Sequence, residues 1–216
     1  MARRLRIVYF EVRAKAEPIR LCLRYGGIPY EDVSVSDYFG CGWRDAKAKA
    51  QFGQLPLLVV DDEAPLAQSG SITRYVAGLA GLAPTDALEA ARCDAVYEAA
   101  QELMDVNPVV NVFRDEAFEA KKREYFGHAP AKIANLARCL GEGPFYFGAK
   151  PLYADMAVYH VLSNTLLLEP AALDGLDNLK RFMAAVEGLP AVGAYLDERP
   201  VPVDIGTKPM LRPKYE

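Results

Sequence analysis

The chain has 216 residues, 51% of them hydrophobic and 25% charged, an ordinary balance for a soluble globular protein. A net charge of −4 and a pI near 5.4 argue against a nucleic-acid partner or an anionic-membrane role, since both call for a basic face. No apolar run reaches the length of a membrane span, and the basic start MARRLRIVYF is broken by Glu11 and Arg13 too soon for a secretion signal, so a cytoplasmic protein is expected. In chain order, Arg6 to Phe10 reads as a strand. Glu17-Pro18 opens a helix that Gly26-Gly27 closes. Tyr30 to Val35 is a second strand, followed by a glycine-rich loop and a helix from about Trp43. Leu57 to Val60 is a third strand, and the Asp61-Asp62-Glu63 turn leads to a brief fourth around Leu66, after which another helix begins.

The texture changes at Gly81-Leu82-Ala83-Pro84, beyond which no strand pattern recurs. Asp86 to Asn107 is helix-periodic, with Ala91, Ala95, Ala99 and Leu103 along one stripe. Residues 115–140 form a second long helix and Ala154 to Leu168 a more apolar one. Asn178 to Arg199 gives two short helices around Pro190. The expected organisation is an α/β domain over residues 1–81, an all-α domain over 86–199 and a proline-rich tail over 200–216. Cys22, Cys41, Cys93 and Cys139 are scattered, with no paired spacing, and read as small hydrophobes, Cys41 alone lying in an exposed-looking Gly-Cys-Gly loop. His128 and His160 have no suitable neighbour in sequence, so neither a metal site nor a histidine triad is expected.

Chemistry concentrates in FGQLPLLVVDDEAPLAQSGSITRYVAG, residues 52–78. A proline entering a buried strand belongs at its start or edge, and an X-Pro bond there can be cis. Leu55, just before Pro56, could then offer its backbone N–H and C=O to an extended peptide. Gln68-Ser69 falls at a helix mouth, where unpaired N–H groups and the helix dipole favour a carboxylate. Ser69 as a plain N-cap is the other reading. Tyr9 ends the first strand, as a core residue or as a hydroxyl aimed at the same end of the sheet. Trp43 and Lys47 sit one helical turn apart, either as a surface pair or as a donor and a cation awaiting an acid.

Together YFEVRAKAEPIR (9–20), W-x-x-x-K (43–47), FGQLP (52–56) and L-A-Q-S-x-S-I-x-R-Y (66–75) resemble the cytosolic glutathione transferases, the sigma class most closely. Leu189-Pro190-Ala191-Val192 and Ala154-Asp155 extend the resemblance over nearly the whole chain. It implies a thioredoxin-like N-terminal domain with a mixed four-stranded sheet, a helical C-terminal domain and a homodimer. Glutathione is implied as cosubstrate, with no permanently bound cofactor. By the family pattern, Gln68 and Ser69 take the γ-glutamyl carboxylate, and Leu55, before a cis Pro56, pairs with the cysteinyl part. Trp43, Lys47 and Gln54 hold the glycyl end. Tyr9 is the catalytic group, stabilising the thiolate that attacks small hydrophobic electrophiles or hydroperoxides in a detoxifying reaction. That electrophile pocket is expected between Phe10, Val12 or Arg13 and the helix carrying Met104 and Val109.

Departures from the pattern accompany the resemblance. Arg13-Ala14-Lys15 stands where the family has Arg-Gly-Arg, so Lys15 replaces an arginine that tunes the tyrosine–thiolate pair. Gln101, with Glu102 beside it and Glu98 a turn earlier, stands where an aspartate meets the glutathione amine across the dimer. Leu152 replaces the Ser or Thr that caps the helix at Asp155, so that capping box is expected to be incomplete. Two alternatives remain open: a non-catalytic glutathione- or ligand-binding structural relative, and a sigma-type prostaglandin isomerase. Val109 stands where the vertebrate isomerase would have a bulky aromatic. A cysteine-dependent oxidoreductase is disfavoured, because Tyr9 occupies the position that chemistry needs for a cysteine.

Overall fold

The computed structural model describes residues 3–199 except positions 112 and 114, so the expected tail over 200–216 lies outside the described residues. Four strands form one mixed sheet: β1 (Leu5–Tyr9), β2 (Glu31–Ser34), β3 (Leu57–Val60) and β4 (Leu66–Ala67). Their order is β2-β1-β3-β4, with β1 parallel to β2 and antiparallel to β3, and β3 antiparallel to β4. The two-residue period of a strand divides β1 between faces. Leu5, Ile7 and Tyr9 join the larger core, whereas Val8 packs with Leu57, Val59 and Ala67 on the opposite face.

The β1–β2 crossover runs through α1 (Glu17–Tyr25), with Pro18 in its first turn and Gly26-Gly27 at its end. Gly27 has φ +60°, a conformation that a β-carbon disfavours. With α4 (Ser69–Ala80), α1 covers the larger-core face through Ile19, Leu23, Ile72 and Val76. The other face lies under α2 (Val35–Phe39) and α3 (Trp43–Ala46), whose Tyr38, Phe39 and Trp43 pack against it. The second strand, expected to extend through Val35 into a loop, is shorter than that. Instead Ser34 ends the strand and caps α2, its Oγ accepting from the Asp37 amide at 3.1 Å.

Among the described residues five helices follow: α5 (Ala87–Val106), α6 (Asp115–Cys139), α7 (Tyr153–Leu168), α8 (Asp177–Glu187) and α9 (Pro190–Glu198). The Asp86 carboxylate starts α5 by accepting from the Leu88 and Glu89 amides at 3.0 and 2.9 Å. The expected apolar stripe on α5 is displaced. Ala91 and Ala95 are exposed, and Cys93, Tyr97, Ala100, Leu103 and Met104 face the core. Bulkier side chains win that interface because they bury more apolar area than alanine. α7 is buried on nearly every side, packed between α5 and α1.

Of two buried polar clusters, one lies within the helical half and the other, around Glu17, ties the halves together. At the start of α7, Asp155 Oδ2 accepts from the Leu152 amide at 2.7 Å and Oδ1 from the Tyr146 amide at 2.9 Å. The capping box is therefore half made: leucine has no acceptor to offer, but the aspartate still satisfies the N-cap amide. Nearby, Glu17 is fully buried on α1 and accepts from Arg20 at 3.2 Å, Tyr195 at 3.1 Å and Arg199 at 2.8 Å.

Candidate functional site

A polar groove of about 250 Å³ opens at the end of the sheet, lined by Lys15, Trp43, Lys47, Gly53, Gln54, Leu55, Gln68 and Ser69. Lys47 faces no carboxylate of the lining, while Lys15 pairs with Asp105 outside it, so the groove has one cation left to favour an anionic ligand. The Leu55-Pro56 peptide bond is cis. Gln68 Nε2 donates to Gln54 Oε1 at 3.1 Å, holding both amides over the groove. Gln68 precedes α4 with φ +72°, and Ser69 is the first helical residue. The N-cap reading of Ser69 is thereby corrected: Gln68 occupies the cap position, and no side-chain cap bond forms there. The serine hydroxyl stands beside the unpaired first-turn N–H groups of α4, a combination suited to a carboxylate.

Beside the groove lies a cavity of about 490 Å³ whose walls include Tyr9, Phe10, Val12, Arg13, Val109 and Val110. Asn164, Tyr195 and Arg199 also reach it from the helical half. The two openings meet at one contact. The backbone N–H of Lys15, a groove residue, donates to the hydroxyl of Tyr9, a cavity residue, at 3.3 Å. Burial raises the Tyr9 pKa to about 12, against the lowering effects of that amide and of Arg20. The phenol therefore keeps its proton at neutral pH. With its oxygen accepting from Lys15, it is free to donate toward a ligand at the junction.

The remaining expected site residues are distributed as follows. Trp43 meets Phe10 edge-on with ring centroids 5.8 Å apart, which fixes the indole at the groove wall. The Lys15 ammonium turns from Tyr9 to Asp105 on α5, 2.6 Å away. Met104 is fully buried in the core and is not among the cavity's lining residues, unlike Phe10, Arg13 and Val109. Gln101 is half-buried, its Nε2 without a partner among the described residues, while Glu102 pairs with Lys132. Glu98 pairs with Arg74 at 2.6 Å. Cys41 is partly exposed, its Sγ 3.6 Å from Lys49 Nζ. Sequence reasoning missed the Lys15 amide, Asn164, Tyr195 and Arg199. A backbone donor leaves no trace in residue type, and the other three lie far from every N-terminal motif.

Comparison with known proteins agrees with this geometry. The family model "Glutathione S-transferase, N-terminal domain" matches residues 14–79, and "Glutathione S-transferase, C-terminal domain" matches residues 104–199. A Caenorhabditis elegans "Glutathione S-transferase P" is 34% identical over 200 residues, covering 90% of this chain and 93% of that protein. A rabbit (Oryctolagus cuniculus) "Glutathione S-transferase Mu 1" is 35% identical over 196 residues, covering 87% and 88%. Among solved structures, a rat hPGDS complexed with a quinoline superposes with a TM-score of 0.81 at 27% identity, covering 92% of this chain and 98% of that one. An Onchocerca volvulus Pi-class glutathione S-transferase superposes with a TM-score of 0.76 at 28% identity, covering 92% and 94%.

A thioredoxin-like sheet domain, a helical domain and these relatives place the chain in the glutathione S-transferase family. It is accordingly an enzyme that takes glutathione as cosubstrate. Among the described residues no cluster of His, Cys, Asp and Glu could hold a metal ion, and no helix is long and apolar enough to cross a membrane. Its class is a finer question, since the names of these relatives include P, Mu and Pi.

Proposed function

We propose that the protein conjugates glutathione to small hydrophobic electrophiles and that Tyr9 activates the thiol. The observation that carries this reading is the junction of groove and cavity at the Lys15 amide–Tyr9 hydroxyl contact. A tripeptide with two carboxylates suits the groove. Gln68, Ser69 and the α4 N-terminus receive its γ-glutamyl carboxylate, and the backbone of Leu55, ahead of Pro56, pairs with its cysteinyl unit. Trp43, Lys47 and Gln54 hold its glycyl end. The thiol then lies at Tyr9. A free thiol titrates near 8.5, and lowering that by ~2 units corresponds to roughly 2.7 kcal/mol of stabilisation by the phenol's hydrogen bond. The electrophile, or a hydroperoxide, occupies the cavity between Phe10, Arg13 and Val109.

The reading extends to a sigma-like enzyme of the cytoplasm acting in detoxification, divided between residues 81 and 86 into a glutathione-binding and an electrophile-binding domain. A homodimer is part of it. Phe52 is 69% exposed beside the groove and Leu88 58% exposed on α5, where Ala91 and Ala95 also face outward. Gln101 and Glu102 lie on the same helix, Gln101 with an unpartnered buried amide that suits a glutathione amine held by the neighbouring subunit less well than an aspartate would.

Ultraviolet titration of the thiolate of bound glutathione tests the central claim. In the native protein the thiol is expected to titrate about two units below free glutathione, and in Tyr9→Phe that shift is expected to disappear. Tight binding without any shift in the native protein would instead favour the non-catalytic binding relative.

A further inference from the structure

The cavity beside Tyr9 extends well past it. At about 490 Å³ it matches pockets that enclose drug-sized ligands, and a small electrophile fills only part of it. One wall follows the edge strand β2, and the other is the face of α1 that carries Glu17, Arg20 and Arg24. Tyr9 is in register with Ser34, whereas Tyr30, also on the wall, lies four residues earlier in the chain. At the rise of an extended strand, the cavity therefore reaches roughly 13 Å beyond Tyr9.

The two ends differ in chemistry. Near Tyr9 the lining includes the apolar Phe10, Val12, Val109 and Val110, and the far end is built from Arg24, Tyr30, Tyr195 and Glu198. There the Arg24 guanidinium lies over two rings, 5.4 Å from the centroid of Tyr30 and 5.0 Å from that of Tyr195. Its Nε also donates to the Tyr30 hydroxyl at 3.4 Å. Tyr195 is fixed in turn, its hydroxyl donating to the buried Glu17 at 3.1 Å. Stacking holds the planar group by its faces and leaves its edge N–H groups to meet an acid. The neighbouring cations are committed, Arg20 to Glu17 and Asp32, and Arg199 to Glu17. Arg24 forms no ion pair among the described residues.

We propose that the cavity selects elongated electrophiles bearing a carboxylate at the end opposite the reactive carbon, and that Arg24 receives this carboxylate. A carboxylate meets a guanidinium fork through two parallel hydrogen bonds. Glu198 and Asp37 line the same cavity, and their charge disfavours a doubly charged group such as a phosphate monoester. Val12 and Val33 offer apolar wall to the chain in between. For an α,β-unsaturated ketone the reaction is an addition. The glutathione sulfur bonds to the β-carbon, the double-bond pair moves to the α-carbon, and that carbon takes up the proton the thiol lost. Nothing leaves, and the distant carboxylate is unaltered. This inference rests on the conjugation reading above and names a substrate class for it.

The test measures kcat/KM for α,β-unsaturated ketones of increasing chain length, each as the free carboxylate and as its methyl ester. It compares the native protein with Arg24→Gln, Arg24→Lys and Glu198→Gln. In the native protein the carboxylate is expected to be preferred over the ester by about tenfold once the chain spans the cavity, the scale of a charge-assisted hydrogen bond partly open to solvent. Short chains are expected to show no preference. Arg24→Gln is expected to abolish the preference at every length. Arg24→Lys keeps the charge without the fork and is expected to retain part of it. Glu198→Gln removes an opposing charge and is expected to strengthen it. Added salt is expected to weaken it, because Arg24 is exposed to water. Equal turnover of acid and ester at every length, or a preference that survives Arg24→Gln, would overturn this inference and leave conjugation at Tyr9 standing. Turnover of neither form would also overturn it, and a bound thiol that is unshifted as well would overturn the conjugation reading with it.

Discussion

A phenol that holds its proton to about pH 12 can act as a hydrogen-bond donor over the whole range in which proteins are assayed. Tyr9 is raised because its ionised form would be stranded in the core, where burial outweighs the Lys15 amide and Arg20. The sign of the pH dependence follows. Turnover should rise as pH climbs through the pKa of the bound thiol and then stay level, since Tyr9 loses its proton only near 12. A pH–rate profile taken to pH 10 is expected to show that single ascending limb. A descending limb centred near pH 9, with the fold intact by circular dichroism, would mean that Tyr9 ionises too early to donate. Lys15 contributes at this scale through its backbone. Its side-chain pair with Asp105 is partly exposed and correspondingly weak.

At the scale of elements, the sequence announced most of the architecture through local rules. Leu57–Val60 is the strand its apolar run and flanking proline suggest, and Pro18 and Gly26-Gly27 bracket α1 as helix punctuation predicts. The groove was legible too, since its residues come from short motifs whose types carry their chemistry. What was not legible depends on tertiary partners. Which face of α5 is buried was decided by α6 and α7, and the positive φ of Ala14 leaves no mark in its residue type. The start of α7 shows the same dependence, because Asp155 satisfies amides from two different segments. Asp155→Ala would strand both inside the protein and is expected to cost ~3 kcal/mol. Urea unfolding at neutral pH measures it. A loss under about 1 kcal/mol would mean that water readily replaces the carboxylate there.

For the whole molecule, the exposed aromatic Phe52 and the outward alanines of α5 lead to a specific expectation about assembly. Sedimentation at micromolar concentration should give twice the chain mass. Phe52→Ser should weaken the dimer by at least about tenfold, as the loss of a central aromatic anchor does. A native monomer under those conditions would remove the basis for any contact of Gln101 or Glu102 with a neighbour's glutathione.

The buried Glu17 has a consequence for the order in which the protein is made. Its carboxylate sits in the first helix, and two of its partners, Tyr195 and Arg199, are separated from it by 178 and 182 residues. During synthesis the sheet can pair as soon as Ala67 has left the ribosome. The helix next to Tyr9, however, then carries a carboxylate with Arg20 but without the two late partners that complete its burial. The loop between Tyr9 and that helix is meanwhile held by Arg20, whose Nη1 donates to the Val12 carbonyl at 3.0 Å. A nascent chain is thus expected to complete the burial of Glu17 only once Arg199 has been translated.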